Sequence, residues 1–257
     1  MSETYLTKRL NCDPKTAEEA KRQLVLGSRI LANEGVLDGL GHLSVRNPEN
    51  PNSFFQSRSL APQFITMDDI MEIGLDGTVI QGIEGKKPYG ERVLHGAVMA
   101  GRADIGAVFH GHPIPVIPFT VCRDKPLLPV FNYGSLFYNG ISFYDDSDVS
   151  SGGIVFSYEE GERISRCLGD RWACLMRGHG VVVAADNIPQ AVIDTIFMVR
   201  NAEVLQQCYA MGGTPKVFSE EEGRAYRKAT HSENALTRCW DYYVRRAKEA
   251  MPDIGDL

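Results

Sequence analysis

Ile105-Gly106-Ala107-Val108-Phe109-His110-Gly111-His112 is a short apolar run that ends on two histidines one residue apart. Its length and composition are those of a buried strand. Side chains alternate along a strand, so His110 and His112 project to one side of it. A third histidine, His179, lies in Arg177-Gly178-His179-Gly180, a turn between two strand-like segments, Trp172 to Met176 and Val181 to Ala184. Three imidazoles bind a divalent metal and leave a coordination position open, which is the mark of a catalytic site rather than a structural one. Glu91, within Pro88-Tyr89-Gly90-Glu91, supplies an acid/base partner.

Outward from this stretch, helices and hairpins alternate without a regular strand–helix–strand repeat. Gly90 to Arg102 reads as a helix with Val93, Leu94, Ala97 and Val98 on its apolar side. Glu91 falls in its first turn, and His95 lies four residues on, on the same face. Asp76-Gly77 between Met71 to Leu75 and Thr78 to Gln81 is a hairpin signal. Gly39 to Arg46 reads as a turn entering a strand, and Ser53 to Gln56 and Phe64 to Thr66 as further strands. Asp13-Pro14 predicts a helix start, followed by the stripe Ala17, Ala20, Leu24, Ile30 and Leu31 and a stop at Gly35. Residues 113 to 153 read as strands and loops, Tyr158 to Leu168 and Pro189 to Met211 as helices. Ser219 with Glu222 forms a capping-box pattern that opens a last helical region to about Lys248. The expected fold is α/β, three α/β/α layers around a mainly antiparallel sheet. One domain is expected over 1–257, with a C-terminal helical extension at about 219–250.

Composition narrows the partners. Hydrophobic residues make up 43% of the 257, and the formal charge is −6, so there is no basic field for nucleic acid. No apolar run is long enough to span a bilayer. The start, Met1 to Tyr5, lacks the basic-then-apolar pattern of a secretion signal, and the six cysteines include no CxxC pair. Reduced thiols and a cytoplasmic location are expected.

The ordered pieces resemble the class II aldolase/adducin family over roughly residues 20 to 210. They are Gly41-His42-Leu43-Ser44-Val45-Arg46, Asp76-Gly77 with Gly82, Pro88-x-x-Glu91 with His95, His110-x-His112, and Arg177-Gly178-His179-Gly180-Val181. The resemblance implies a class II aldolase-like fold, a homotetramer with sites at subunit interfaces, one divalent metal per subunit on His110, His112 and His179, and Glu91 as the catalytic acid/base. Sugar-phosphate members of the family hold phosphate with short hydroxyls and glycine. Here those places carry His42, Ala61-Pro62 and Tyr89-Gly90. Proline has no N–H to offer, so the phosphate cradle is dismantled.

What replaces the cradle is similar to the decarboxylase branch of the family. The residues concerned are Ser57-Arg58-Ser59-Leu60-Ala61-Pro62, Gly90-Glu91-Arg92 with His95-Gly96, and Trp240-Asp241-Tyr242-Tyr243. That branch removes CO2 from ortho-hydroxylated aromatic or pyridine carboxylates, among them 3-hydroxy-2-methylpyridine-4,5-dicarboxylate and dihydroxyphthalates. Decarboxylation and retro-aldol cleavage both send the electrons of a broken C–C bond to an oxygen, and a metal stabilises that charge. The expected function is therefore a metal-dependent decarboxylase acting on an ortho-hydroxylated aromatic or pyridine (di)carboxylate, with Mn2+ favoured by the resemblance and Zn2+, Fe2+ or Co2+ also suited to three imidazoles. Arg58 is the first choice to hold a substrate carboxylate, because guanidinium matches it as a fork. His42 and Ser59 are further substrate contacts, and Tyr243 is one that reaches in from a neighbouring subunit. Two alternatives stand beside this: an aldolase acting on a non-phosphorylated hydroxy-carbonyl substrate, and a non-catalytic scaffold like the adducin head. His231 has no motif around it and is expected at the surface.

Overall fold

A computed structural model of the chain describes residues 13–255. The N-terminal stretch read for a leader, and Cys12, lie outside the described residues. The strands are β1 (His42–Arg46), β2 (Ser53–Ser57), β3 (Ile70–Gly74), β4 (Val79–Gln81), β5 (Ala107–Gly111), β6 (Ser142–Tyr144), β7 (Ala173–Met176) and β8 (Gly180–Ala185). The helices are α1 (Ala17–Asn33), α2 (Arg92–Gly101), α3 (Ile117–Val121), α4 (Tyr158–Leu168), α5 (Ile188–Ala210), α6 (Glu220–Thr230) and α7 (Glu233–Ala250). The strands form one sheet in the order β4-β3-β2-β1-β5-β8-β7-β6. Every neighbouring pair is antiparallel except β6 with β7.

The period of two along each strand divides the core into two layers. Leu43, Val45, Ala107, Phe109, Val181 and Val183 pack with Leu24, Ile30, Val192 and Ile196 of α1 and α5. The alternate residues Val108, Cys174, Val182 and Ala184 pack with Leu94 and Val98 of α2 and Ile164 of α4. The sheet is thus covered by α1 and α5 on one face and α2 and α4 on the other, the three-layer arrangement expected. His42, Ser44 and His110 share the strand phase of Val108, which puts them on the α2 side.

Several local readings are corrected. The first helix is capped by Thr16, whose hydroxyl accepts from Glu19 N–H, rather than by Asp13. Asp13 instead accepts from Asn187 Nδ2 at 2.8 Å, a partner far along the chain. Phe64 to Thr66 is no strand. Phe64 ends one 3-10 turn, Pro62–Phe64, and Thr66 caps a second, Met67–Asp69, closed by a capping box between Thr66 and Asp69. Residues 113 to 153 contain the short helix α3 as well as β6. The last helical region is two helices, and its opening capping box, Ser219 with Glu222, is formed from both sides. His231, the C-cap of α6, is half-buried rather than on the surface. Among the described residues no helix is long and apolar enough to cross a membrane, and Cys122, Cys167, Cys174, Cys208 and Cys239 are free thiols.

Candidate metal centre

Sheet register and one glycine-flanked turn assemble the site. β1 and β5 pair with His42 directly opposite His110. The β7–β8 turn carries His179 between Gly178 and Gly180. Gly178 takes φ +62°, a conformation that side-chain-bearing residues rarely adopt. A Cβ on Gly180 would lie 2.4 Å from the Gly111 carbonyl oxygen and 2.7 Å from the His112 ring. Only glycine lets these two strand ends approach, and their approach sets His179 beside His112.

The rings of His110, His112 and His179 form a nearly equilateral triangle, with centroids 5.2, 4.9 and 5.1 Å apart. One ring nitrogen of each lies within 4.8 Å of the others. His110 Nδ1 is 3.2 Å from the Val181 carbonyl oxygen. A carbonyl only accepts, so Nδ1 carries the proton and Nε2 presents its lone pair. Three buried nitrogens, His110 Nε2, His112 Nε2 and His179 Nδ1, have no hydrogen-bond partner. Leaving a buried polar atom unpaired costs about 1–3 kcal/mol, and a cation at the triangle's centre would relieve that cost at each nitrogen facing the centre. Burial also lowers the His112 pKa and brings that of His179 down to about 4, which keeps both rings in the neutral form that ligates. The donor set fits a divalent metal.

Glu91 stands beside the triangle. Its Oε2 is 3.3 Å from His110 Nε2 and 3.4 Å from His42 Nε2. Its Oε1 is 3.6 Å from His179 Nε2 and accepts from Val155 N–H at 3.3 Å. Burial alone would raise this carboxyl. Positive charge at the His110 position and the hydrogen bond from His42 outweigh burial and hold it well below the ordinary carboxylate range. Glu91 is the N-cap residue of α2, one position before the first turn expected, and its side chain makes no capping bond. Its carboxylate is left for the site.

A hydrogen-bonded chain runs back from Glu91 into the core. His42 Nδ1 meets His95 Nε2 at 2.7 Å, and His95 Nδ1 meets the Ser44 hydroxyl at 2.6 Å. All three residues are buried. With Glu91 ionised, every link is satisfied when Ser44 donates to His95, His95 to His42, and His42 to Glu91. Burial lowers the His42 pKa to about 4, so its ring is neutral and one proton suffices for this pattern. Tyr89 packs against His42, with ring centroids 4.4 Å apart, and its hydroxyl donates to the Leu60 carbonyl. Sequence reasoning assigned no role to Ser44 or Tyr89. Ser44 was findable, since it shares a strand phase with His42.

The other substrate contacts expected from sequence lie apart from one another. Arg58 Nε donates to Asp69 Oδ1 at 2.6 Å, on the turn that Thr66 and Asp69 close. Ser59 is exposed, and its N–H donates to the Lys87 carbonyl. Tyr243, on α7, lines a separate groove with Tyr133, Phe197 and Arg200, and burial pushes its hydroxyl up to about 12. The structure brings His42 to Glu91, but it does not bring Ser59 or Tyr243 of the same chain to the triangle. What opens beside His112 and His179 is a cleft of about 480 Å³, walled by Arg177, Ser147, Val149 and Ile154.

Residues 22–206 match the family model described as the Class II Aldolase and Adducin N-terminal domain. The chain belongs to the class II aldolase and adducin family. It is 32% identical to the 3,4-dihydroxyphthalate decarboxylase of Arthrobacter keyseri, over 92% of this chain and 97% of that protein. It is 27% identical to Decarboxylase tropJ of Talaromyces stipitatus, over 88% of this chain and 93% of that protein. Among solved structures it is similar to the L-fuculose 1-phosphate aldolase of Glaciozyma antarctica PI12, with a TM-score of 0.78 and 24% identity, over 98% of each chain. That last likeness concerns the fold. Its relatives include proteins named as decarboxylases and aldolases, and this family member is a lyase.

Proposed function

We propose that this chain is a metal-dependent decarboxylase that removes CO2 from an ortho-hydroxylated aromatic or pyridine carboxylate. The observation that carries the reading is the clustering of three imidazoles, one ring nitrogen of each within 4.8 Å of the others, with the Glu91 carboxylate beside them. His110, His112 and His179 would hold one divalent ion, Mn2+ before Zn2+, Fe2+ or Co2+. Bound there, the ion supplies stabilisation of negative charge on the substrate's hydroxyl oxygen and carboxylate.

The chain's own residues then handle the proton. Glu91 rests as a carboxylate, so it first acts as a base and takes the proton of the substrate hydroxyl. It next delivers that proton to the ring carbon that bears the carboxylate. The C–CO2 bond breaks, its electrons return to the ring and its oxygen, and CO2 leaves. Ser44, His95 and His42 orient Glu91 by the donor chain that ends on its Oε2. The identities with relatives named as decarboxylases support this chemistry over aldol cleavage. So does the Tyr89 phenol, which packs on His42 where phosphate-binding members carry short hydroxyls. Arg58 and Ser59 remain proposed contacts from the loop that Tyr89 ties down. Tyr243 would contribute only from another copy in a homo-oligomer.

The test is CO2 release by metal-reconstituted protein from hydroxylated benzene and pyridine carboxylates, with aldehyde release followed in parallel from aldol substrates. Metal-dependent CO2 release is expected. Aldehyde without CO2 would replace this reading with an aldolase.

A further inference from the structure

The cleft beside the triangle has an unequal chemistry. Val149 and Ile154 form one wall and are 85% and 42% exposed. Gly152 and Gly153 continue that wall, and nothing lies within 4 Å of where a Cβ on either would stand. An apolar wall over open space accepts the face of a flat ring. His112 and His179 mark the metal end. Arg177 is the one arginine or lysine among the residues lining the cleft.

Arg177 is placed rather than loose. Its backbone N–H donates to the Tyr144 carbonyl at 3.0 Å, which extends the parallel β6–β7 pairing by one residue. Its Nε donates to Asp145. Among the described residues its two Nη atoms have no protein partner, so the outer fork of the guanidinium is unspent. It stands two residues before His179, on the same turn. Arg58 differs in place, since it lines no wall of this cleft, while its Nε is committed to Asp69 as that of Arg177 is to Asp145.

We infer that Arg177 holds a second carboxylate of the substrate through its two Nη atoms, so that the site selects an aromatic dicarboxylate over the corresponding monocarboxylate. This rests on the decarboxylase reading. The carboxylate next to the ring hydroxyl goes to the metal end, the ring lies against Val149 and Ile154, and the remaining carboxylate meets the guanidinium fork. Asp145, on the inner edge of the same guanidinium, opposes an incoming anion and tempers its affinity.

The experiment compares kcat/KM for CO2 release from a hydroxylated benzene dicarboxylate and from the matching hydroxybenzoate, using metal-loaded enzyme. For Arg177→Ala the preference for the dicarboxylate should fall by about ten- to a hundredfold, carried by KM, because a charge-assisted bond is lost. Asp145→Asn should shift the same preference the other way. An equal loss on both substrates, or an unchanged ratio, would overturn the assignment. Calorimetric binding of both acids to the metal-loaded Arg177→Ala and wild-type proteins asks the question without turnover. If wild-type enzyme releases no CO2 while the dicarboxylate still binds more weakly to the variant, the decarboxylase reading fails and the Arg177 subsite stands. If binding is indifferent to Arg177, the subsite fails whatever the turnover.

Discussion

His110 and His231 are both removed from bulk solvent and both lie beside a carboxylate, yet their rings end in opposite states. His231 spends both nitrogens: Nε2 meets Asp194 Oδ1 at 2.5 Å and Nδ1 meets the Thr230 hydroxyl at 2.9 Å. Asp194, fully buried on α5, also accepts from Gln190. His110 spends only Nδ1, on the Val181 carbonyl, and its Nε2, like His112 Nε2 and His179 Nδ1, has no partner. A neighbouring acid therefore does not distinguish function from architecture in this molecule. The distinction lies in unspent lone pairs that converge. The satisfied cluster fastens the α6–α7 junction to α5, while the unsatisfied one keeps lone pairs that a cation could use.

The largest effect should come from removing a ring from the convergent set. His112→Ala leaves two imidazoles, and both metal retention on dialysis and CO2 release should fall by more than about a hundredfold, beyond what loss of a ligand's outer partner costs. Metal content and turnover that both survived would mean the triangle is architecture of the His231 kind. Glu91→Gln should separate chemistry from binding. The amide keeps the shape but not the base, so metal content should hold while kcat drops by about 10²- to 10⁴-fold. Near-normal turnover in a metal-loaded variant would remove Glu91 from the proton path.

The satisfied cluster should respond in stability instead. His231→Ala leaves the Asp194 carboxylate buried and without its ring partner, a loss of about 3 kcal/mol. Urea unfolding should show it, with metal content per folded chain unchanged. A loss of metal in this variant would join two regions that the comparison keeps apart.

The comparison also explains what sequence could disclose. The strand phase of His110 and His112, the Asp76-Gly77 hairpin, the capping box of Ser219 and Glu222, and the glycines around His179 are local patterns, decided within a few residues. They carried the layer arrangement and the grouping of the triangle. What stayed illegible depends on partners far along the chain. Asp13 looks like a helix cap until Asn187, on the other side of the sequence, takes its carboxylate. Arg58 looks unpartnered until the turn at Thr66 folds Asp69 onto its Nε. His231 has no motif because its partner lies 37 residues earlier, on a different helix. Arg177 was hidden in a second way. The histidine alone accounts for its motif, and the cleft beside the arginine is walled by residues between 147 and 154, where turns leave no periodic signal.

The smallest expected effect concerns pH, and its sign differs between buried groups. Burial brings His42 and His179 to about 4 from an ordinary 6.5. The unfolded chain takes up their protons first, so the stability they allow is complete above 6.5 and is lost as pH falls toward 4. Asp186, where β8 runs into α5, goes the other way: burial pushes its carboxyl up to about 6 from 3.8, with Arg227 only partly opposing. A carboxyl raised in the fold contributes fully below 3.8 and loses that contribution as pH rises through 6. Asp186→Asn should therefore stabilise the protein by about 1–2 kcal/mol at pH 8, the full shift being discounted for partial exposure. The gain should shrink toward zero at pH 4, read as the difference in urea midpoints between variant and wild type. A gain that grew on acidification would mean that Arg227 holds Asp186 ionised, and would place Asp186 among the satisfied acids with Asp194.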